Sequence, residues 1–226
     1  MHNMGTLSIV ATPIGNLEDI TLRALRTLKE ADVIYAEDTR VISKLLARYE
    51  IQKPLQRLDA ATESKKADDI IERLEAGERV AYVSDAGTPG ISDPGTRLVA
   101  QVREQAPGVK IEAIPGASAL TAALSIAGID TTAFTFLGFL PHKKGRQTAL
   151  KGLGESEIPV VLYESPHRIL KLLEELRALE VSRVIVAREL TKVHEEVISG
   201  TVTEIEAHFA AHPDAVRGEF VVIVTP

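Results

Sequence analysis

Two adjacent carboxylates, Glu37 and Asp38, stand just ahead of Arg40 at the end of an apolar run. Carboxylates in that position can do acid–base work, although the segment also suits the solvated start of a helix. A second mixed segment, ARELTKVHEE at 187–196, carries Glu189 and Lys192. There both charge signs meet at a strand end, a pairing that could do acid–base work; a salt-bridged surface loop has the same composition. Between them lies SDAGTPGISDPG at 84–95, where five of the eleven residues from Asp85 onward are Gly or Pro. Glycine lets backbone approach a ligand and proline holds the path rigid, so such a loop can present amides and carbonyls at fixed positions. It is long for a plain corner.

Three shorter segments are open to two uses each. Thr12-Pro13-Ile14-Gly15-Asn16 follows the first apolar run and is either a ligand turn or a plain strand-to-helix turn. Ile114-Pro115-Gly116-Ala117-Ser118-Ala119 would admit something flat or pack a helix tightly. Tyr163-Glu164-Ser165-Pro166-His167-Arg168 is a helix start facing a cleft or an exposed capping turn. His167 and His194 lack H-x-x-x-H and H-E-x-x-H spacing, so no catalytic metal is expected. No strand is followed by G-x-G-x-x-G, and no G-x-x-x-x-G-K-[ST] occurs; Gly152-Leu153-Gly154 precedes a strand and reads as a loop.

Strands and helices alternate almost throughout, and most of these segments fall at strand ends. Runs 7–11, 32–36, 79–83 and 110–114 read as buried strands. Residues 20–31, 41–49, 65–76 and 96–105 read as helices, the first with Ile20, Leu22, Leu25 and Leu28 on one face and the third closed by Gly77. The Ala-rich 117–127 is a further helix, expected to pack closely on a neighbour. Later strands are 134–139, 159–163, 182–187 and 220–225, with 193–199 paired to its predecessor. Ser165-Pro166 predicts a cap and first helical position for a helix to about Leu179. Thr201 and Glu204 have capping-box spacing for a helix to about Ala211. The alternation predicts α/β layers with mainly parallel pairing at the start. The expected domains are 1–115 and 116–226, each of ordinary size.

The 226 residues include 26 Lys+Arg against 32 Asp+Glu, a formal net charge of −6, with hydrophobic residues at 45%. That is globular composition. The absence of Cys excludes disulfides, thiolate metal sites and cysteine nucleophiles; the absence of Trp disfavours an aromatic sugar groove. With no signal-peptide pattern and no membrane-length apolar run, a soluble, cytoplasmic protein without membrane contact is expected. The acidic balance argues against general nucleic-acid binding. Locally, 131–154 has no acid but holds Lys143, Lys144, Arg146 and Lys151 close after Phe134, Phe136 and Phe139.

TPIGNLEDIT, AEDTR, SDAGTPGISDPG, IPGASA, YESPHR, ARELTKVHEE and GEFVVIV occur in the order found in the tetrapyrrole-methylase superfamily. Over 6–224 the sequence resembles the rRNA small subunit methyltransferase I family of its ribosomal branch. The resemblance implies two α/β domains with S-adenosylmethionine in the cleft between them. It also implies methyl transfer to the ribose 2′-hydroxyl of a cytidine in the decoding centre of 16S rRNA, and a homodimer. By position, Pro13, Ile14, Gly15, Asp85, Thr88, Pro89, Gly90, Ile91, Gly116, Ala117, Ser118, Tyr163 and Glu189 match cofactor-contacting segments. Members commonly continue past the last strand, whereas this sequence ends at Pro226; such an extension is expected to assist RNA binding.

For the implied reaction a ribose hydroxyl must lose its proton as it attacks, and Glu37, Asp38, Glu189 and Lys192 are the catalytic candidates because they lie at strand ends. Around the basic stretch, His142, Lys143, Lys144 and Arg146 are the RNA-binding candidates, to 16S rRNA free or in the small ribosomal subunit. Two other readings share the cofactor: a corrin-precursor methyltransferase and a non-catalytic S-adenosylmethionine sensor.

Overall fold

The computed structural model describes residues 4–59, 61–179 and 181–226, which fall into two compact units divided after Ser118. The first unit contains β1 (Thr6–Val10), α1 (Leu22–Glu30), β2 (Val33–Ala36), α2 (Thr39–Arg48), β3 (Leu55–Arg57), α3 (Glu63–Glu75), β4 (Arg79–Val83), α4 (Thr96–Gln105) and β5 (Lys110–Ile114). Its sheet has the order β3-β2-β4-β1-β5, with every pair parallel.

Helices cover both faces of this sheet, so its central strands carry apolar side chains on both sides. Tyr35 and Tyr82 join Ile70, Leu74, Leu98 and Val102 of α3 and α4. The alternate positions Ile34, Ala81 and Val83 join Ala24, Leu28, Ile42 and Leu45 of α1 and α2. Strand β3 was not foreseen: it is three residues long, polar in part and at the sheet edge.

The second unit contains α5 (Ala119–Ile126), β6 (Thr135–Phe139), α6 (Arg146–Gly154), β7 (Val160–Glu164), α7 (Ile169–Arg177), β8 (Arg183–Arg188), β9 (Glu196–Gly200), α8 (Val202–Ala211) and β10 (Phe220–Thr225). The sheet order is β6-β7-β10-β8-β9; β6 and β7 are parallel and the other pairs antiparallel. The core joins Leu162, Val186 and Val222 from the sheet to Leu172, Leu176, Ile205 and Phe209 from α7 and α8.

Two local expectations change. Gly152-Leu153-Gly154 is not a loop but the last turn of α6, held in place by buried Leu150 and Leu153. The helix expected from Ser165-Pro166 begins at Ile169: Ser165 supplies its carbonyl to the amides of Arg168 and Ile169 and makes no side-chain cap there. The capping box at Thr201 and Glu204 is present, with the Glu204 amide donating to Thr201 Oγ1 and the Thr201 amide donating to Glu204. Among the described residues no helix is long and apolar enough to cross a membrane.

Candidate active site

In the first sheet the chain leaves β1 for β2 by crossing β4, and leaves β4 for β5 by crossing β1. The two connections therefore part toward opposite faces, and in open α/β sheets ligands bind at such a point, beyond the carboxyl ends of the strands, here β1 and β4. Three of the predicted cofactor segments meet there. The Thr12 amide donates to the Gly87 carbonyl at 2.9 Å and the Gly87 amide to the Thr12 carbonyl at 3.0 Å. Thr12 Oγ1 donates to the Ser84 carbonyl and Thr88 Oγ1 to the Ala117 carbonyl, both at 3.2 Å.

Glycine eases this approach. A Cβ on Gly116 would lie 3.0 Å from that of Ala11, and one on Gly87, where φ is +80°, would lie 3.2 Å from Ile14 Cγ2. Pro13 and Pro89 are buried, while Gly15, Ala86, Ile91 and Gly116 are exposed; Gly90 and Ser118 are half-buried.

Farther along, the loop is anchored from α3. Glu63, 3% exposed, accepts from the amides of Gly95 at 3.0 Å and Leu98 at 2.8 Å, so one carboxylate caps the start of α4. Glu63→Ala leaves both amides unpaired and is expected to cost about 2–4 kcal/mol. Amide exchange at 95–98 should accelerate; protection equal to that of the unaltered protein would contradict the role given to Glu63.

Glu37 follows β2 between the strands that lead to Asp59 and Asp85. Burial raises its pKa above the ordinary carboxylate value, and the Asp85 and Asp59 carboxylates add to the rise. Asp85 itself is fixed by accepting from the Asp38 amide at 2.8 Å. Asp38 is different: hydrogen bonds from the Arg40 side chain and amide hold its pKa down to about 2. It caps α2 with Arg40 paired to it, which makes it a poor proton acceptor and leaves Glu37 as the basic member of the pair.

The corresponding edge of the second sheet collects the ends of β7 and β8 and the start of β10, since Phe220 pairs with both Glu164 and Arg188. Glu189 adopts a φ of +49°, uncommon for a residue with a side chain, and Thr191 a φ of +66°. Lys192 Nζ donates to Glu189 at 2.8 Å and to Glu219 at 2.9 Å. Burial pulls the Lys192 pKa down, but the two carboxylates outweigh it and the net shift is upward. Burial likewise pushes Glu189 up, and the Lys192 ammonium with the Glu219 amide brings it below its ordinary value. Neither is suited to accept a proton near neutrality; together they are a fixed charge pair. Glu219, the second carboxylate on Lys192, was not among the expected site residues, although it lies in the quoted GEFVVIV segment. Tyr163 Oη accepts from the Leu120 amide at 3.1 Å, and its ring meets Phe136 and Phe139 edge to face.

Of the basic stretch, His142, Lys143 and Lys144 are exposed. Arg146 is not a surface contact: its side chain is 5% exposed and pairs with Glu175 in a forked arrangement at 3.0 and 2.6 Å. Its expected role as a direct phosphate ligand is therefore withdrawn, because a guanidinium so enclosed has no free edge to offer.

The family model for tetrapyrrole (corrin/porphyrin) methylases matches residues 6–206. A Thermotoga maritima protein named ribosomal RNA small subunit methyltransferase I is 46% identical over 207 residues, 91% of this chain and 92% of the relative. Among solved structures, a diphthine synthase has a TM-score of 0.77 at 16% identity, covering 98% of this chain and 90% of the other. A cobalt precorrin-4 methyltransferase has a TM-score of 0.72 at 20% identity, covering 97% and 94%. These two likenesses are of fold.

Proposed function

As this chain belongs to the tetrapyrrole methylase family, we propose that it is an S-adenosylmethionine-dependent methyltransferase acting on small-subunit rRNA, at the ribose 2′-hydroxyl of a decoding-centre cytidine. The observation that carries this reading is the 46% identity, over nine-tenths of both chains, to a small-subunit rRNA methyltransferase I. The crevice at β1 and β4 suits the cofactor: exposed small and apolar residues offer a bed for a flat nucleoside, and the acidic Asp85 suits a ligand bearing positive charge. Pro13, Ile14, Gly15, Asp85, Thr88, Pro89, Gly90, Ile91, Gly116, Ala117 and Ser118 would hold it from this unit; Tyr163 and Glu189 are cofactor candidates on the family resemblance alone. When bound, S-adenosylmethionine supplies an activated methyl group together with its leaving group.

The protein's own task is then orientation and one proton. Holding the attacking oxygen in line can supply ~7–11 kcal/mol. Glu37 receives the hydroxyl proton, the role its raised pKa fits. Lys192 contributes as a cation, the form its two carboxylates favour. Lys143 and Lys144 contact phosphates, while a net charge of −6 favours folded rRNA or an assembled subunit over RNA in general. The active form is a homodimer, as the family resemblance implies, and action on rRNA fits a cytoplasmic protein.

The test is transfer of labelled methyl to small subunits lacking their decoding-centre methylations, with a corrin precursor in parallel. Label on one ribose of 16S rRNA is the expected result. Label on the corrin would overturn the substrate, and cofactor binding without transfer to either would favour a sensor.

A further inference from the structure

Two guanidiniums seize consecutive carbonyls at the point where the chain leaves the second unit's core. Arg168 Nη2 donates to the Leu140 carbonyl at 2.7 Å, and Arg146 Nη1 to the Pro141 carbonyl at 3.2 Å. Each is backed by a carboxylate: Arg168 Nε lies 3.2 Å from Glu164, whose side chain is fully buried, and Arg146 is forked onto Glu175. Leu140 is buried, whereas every residue of 141–145 is exposed. The far end is closed by Gly145 at a φ of +87° and by the Arg146 amide donating to the Lys143 carbonyl at 3.2 Å. His142, Lys143 and Lys144 thus ride on a short arch whose root is clamped.

Stability does not account for this network. Buried ion pairs are often no better than apolar residues of the same volume, and Glu164 Oε2 is buried with no hydrogen-bond partner, which is a cost. Apolar replacements would fill the space but leave the carbonyls of Leu140 and Pro141 unheld. We propose that Arg146 and Arg168, with Glu175 and Glu164, are positioning residues that fix the arch so that Lys143 and Lys144 meet RNA phosphates in one orientation. This rests on the rRNA reading above. The lysines then contact phosphate without first being ordered, so releasing the clamp should weaken binding of the subunit and spare the chemical step.

Removing one partner of such a pair would leave a buried charge, so the pairs are exchanged whole. Arg146→Met/Glu175→Leu frees Pro141, and Arg168→Met/Glu164→Gln independently frees Leu140. Methylation of small subunits is measured for each, alone and combined with Lys143→Ala/Lys144→Ala, across a salt series and alongside S-adenosylmethionine affinity and thermal midpoint. In the folded variants KM for subunits should rise about tenfold with kcat within about twofold, and the salt dependence should flatten as it does on removing the lysines, by about 0.7 per lost contact. Adding the lysine changes to a clamp variant should bring little further loss, because both act on one interaction. Unchanged KM and salt dependence, or losses that multiply, overturn the clamp. Unaltered protein that methylates no subunit overturns the rRNA reading instead.

Discussion

Glu37→Gln is expected to slow single-turnover methyl transfer by about 10²–10⁴-fold, the usual worth of a positioned proton acceptor, with S-adenosylmethionine affinity nearly unchanged. Glutamine keeps the shape and removes the basicity. The pH profile gives the sharper readout. Only the ionised carboxylate accepts a proton, so the rate should climb with pH through the Glu37 pKa and then level. Because burial and the neighbouring Asp85 and Asp59 carboxylates raise that pKa, the climb should lie at higher pH than for an ordinary glutamate. In Glu37→Gln the climb should vanish. A variant that retains both rate and profile would leave orientation as the whole mechanism.

Gly218→Ala should be the most damaging single methyl group added near the second sheet's charged edge. An added Cβ would lie 2.0 Å from Glu189 Oε1, and φ at this position is +86°. The left-handed backbone costs an alanine about 1–2 kcal/mol, and the overlap forces the Glu189 carboxylate off both Lys192 and the Glu219 amide, adding about 1–3 kcal/mol of packing cost. The combined loss, about 2–5 kcal/mol, should lower the thermal midpoint by roughly 5–15 °C for a chain of this size. Acidity supplies a second check. Glu189 has a lowered pKa when folded, so its contribution is present above the ordinary value of 4.5 and fades as pH falls below it. The gap between parent and variant should therefore narrow in acid. A constant gap would mean that the glycine is required by its backbone alone.

Much of the fold was legible because local signals agreed. Strands β4, β5 and β10 and helix α4 are bounded by turn-forming residues, among them Gly77, Gly95 and Gly218, and were delimited to the residue. Helix α6 was hidden by two glycines in its last turn, where buried Leu150 and Leu153 outweigh propensity. At the candidate site, strand-end position alone selected Glu37 and Asp38, but their division of labour was not legible. It depends on Asp85 and Asp59 flanking one and Arg40 capturing the other. The burial of Arg146 was equally hidden: in sequence it closes a run of exposed cations, while its partner Glu175 lies 29 residues away on another helix.

The order of strands in the first sheet also sets a timetable. Strand β1 is made first, yet its partners are β4 and β5, and Ser8 finds Glu112 across a separation of 104 residues. At typical synthesis rates of about 5–20 residues per second, the apolar Leu7 and Val10 wait on the order of 5–20 s for their neighbours. This interior strand is thus flanked by neighbours that are completed much later than the strand itself. Such long-range parallel pairing makes for slow folding, and it leaves the nascent first unit dependent on shelter until β5 has emerged from the ribosome.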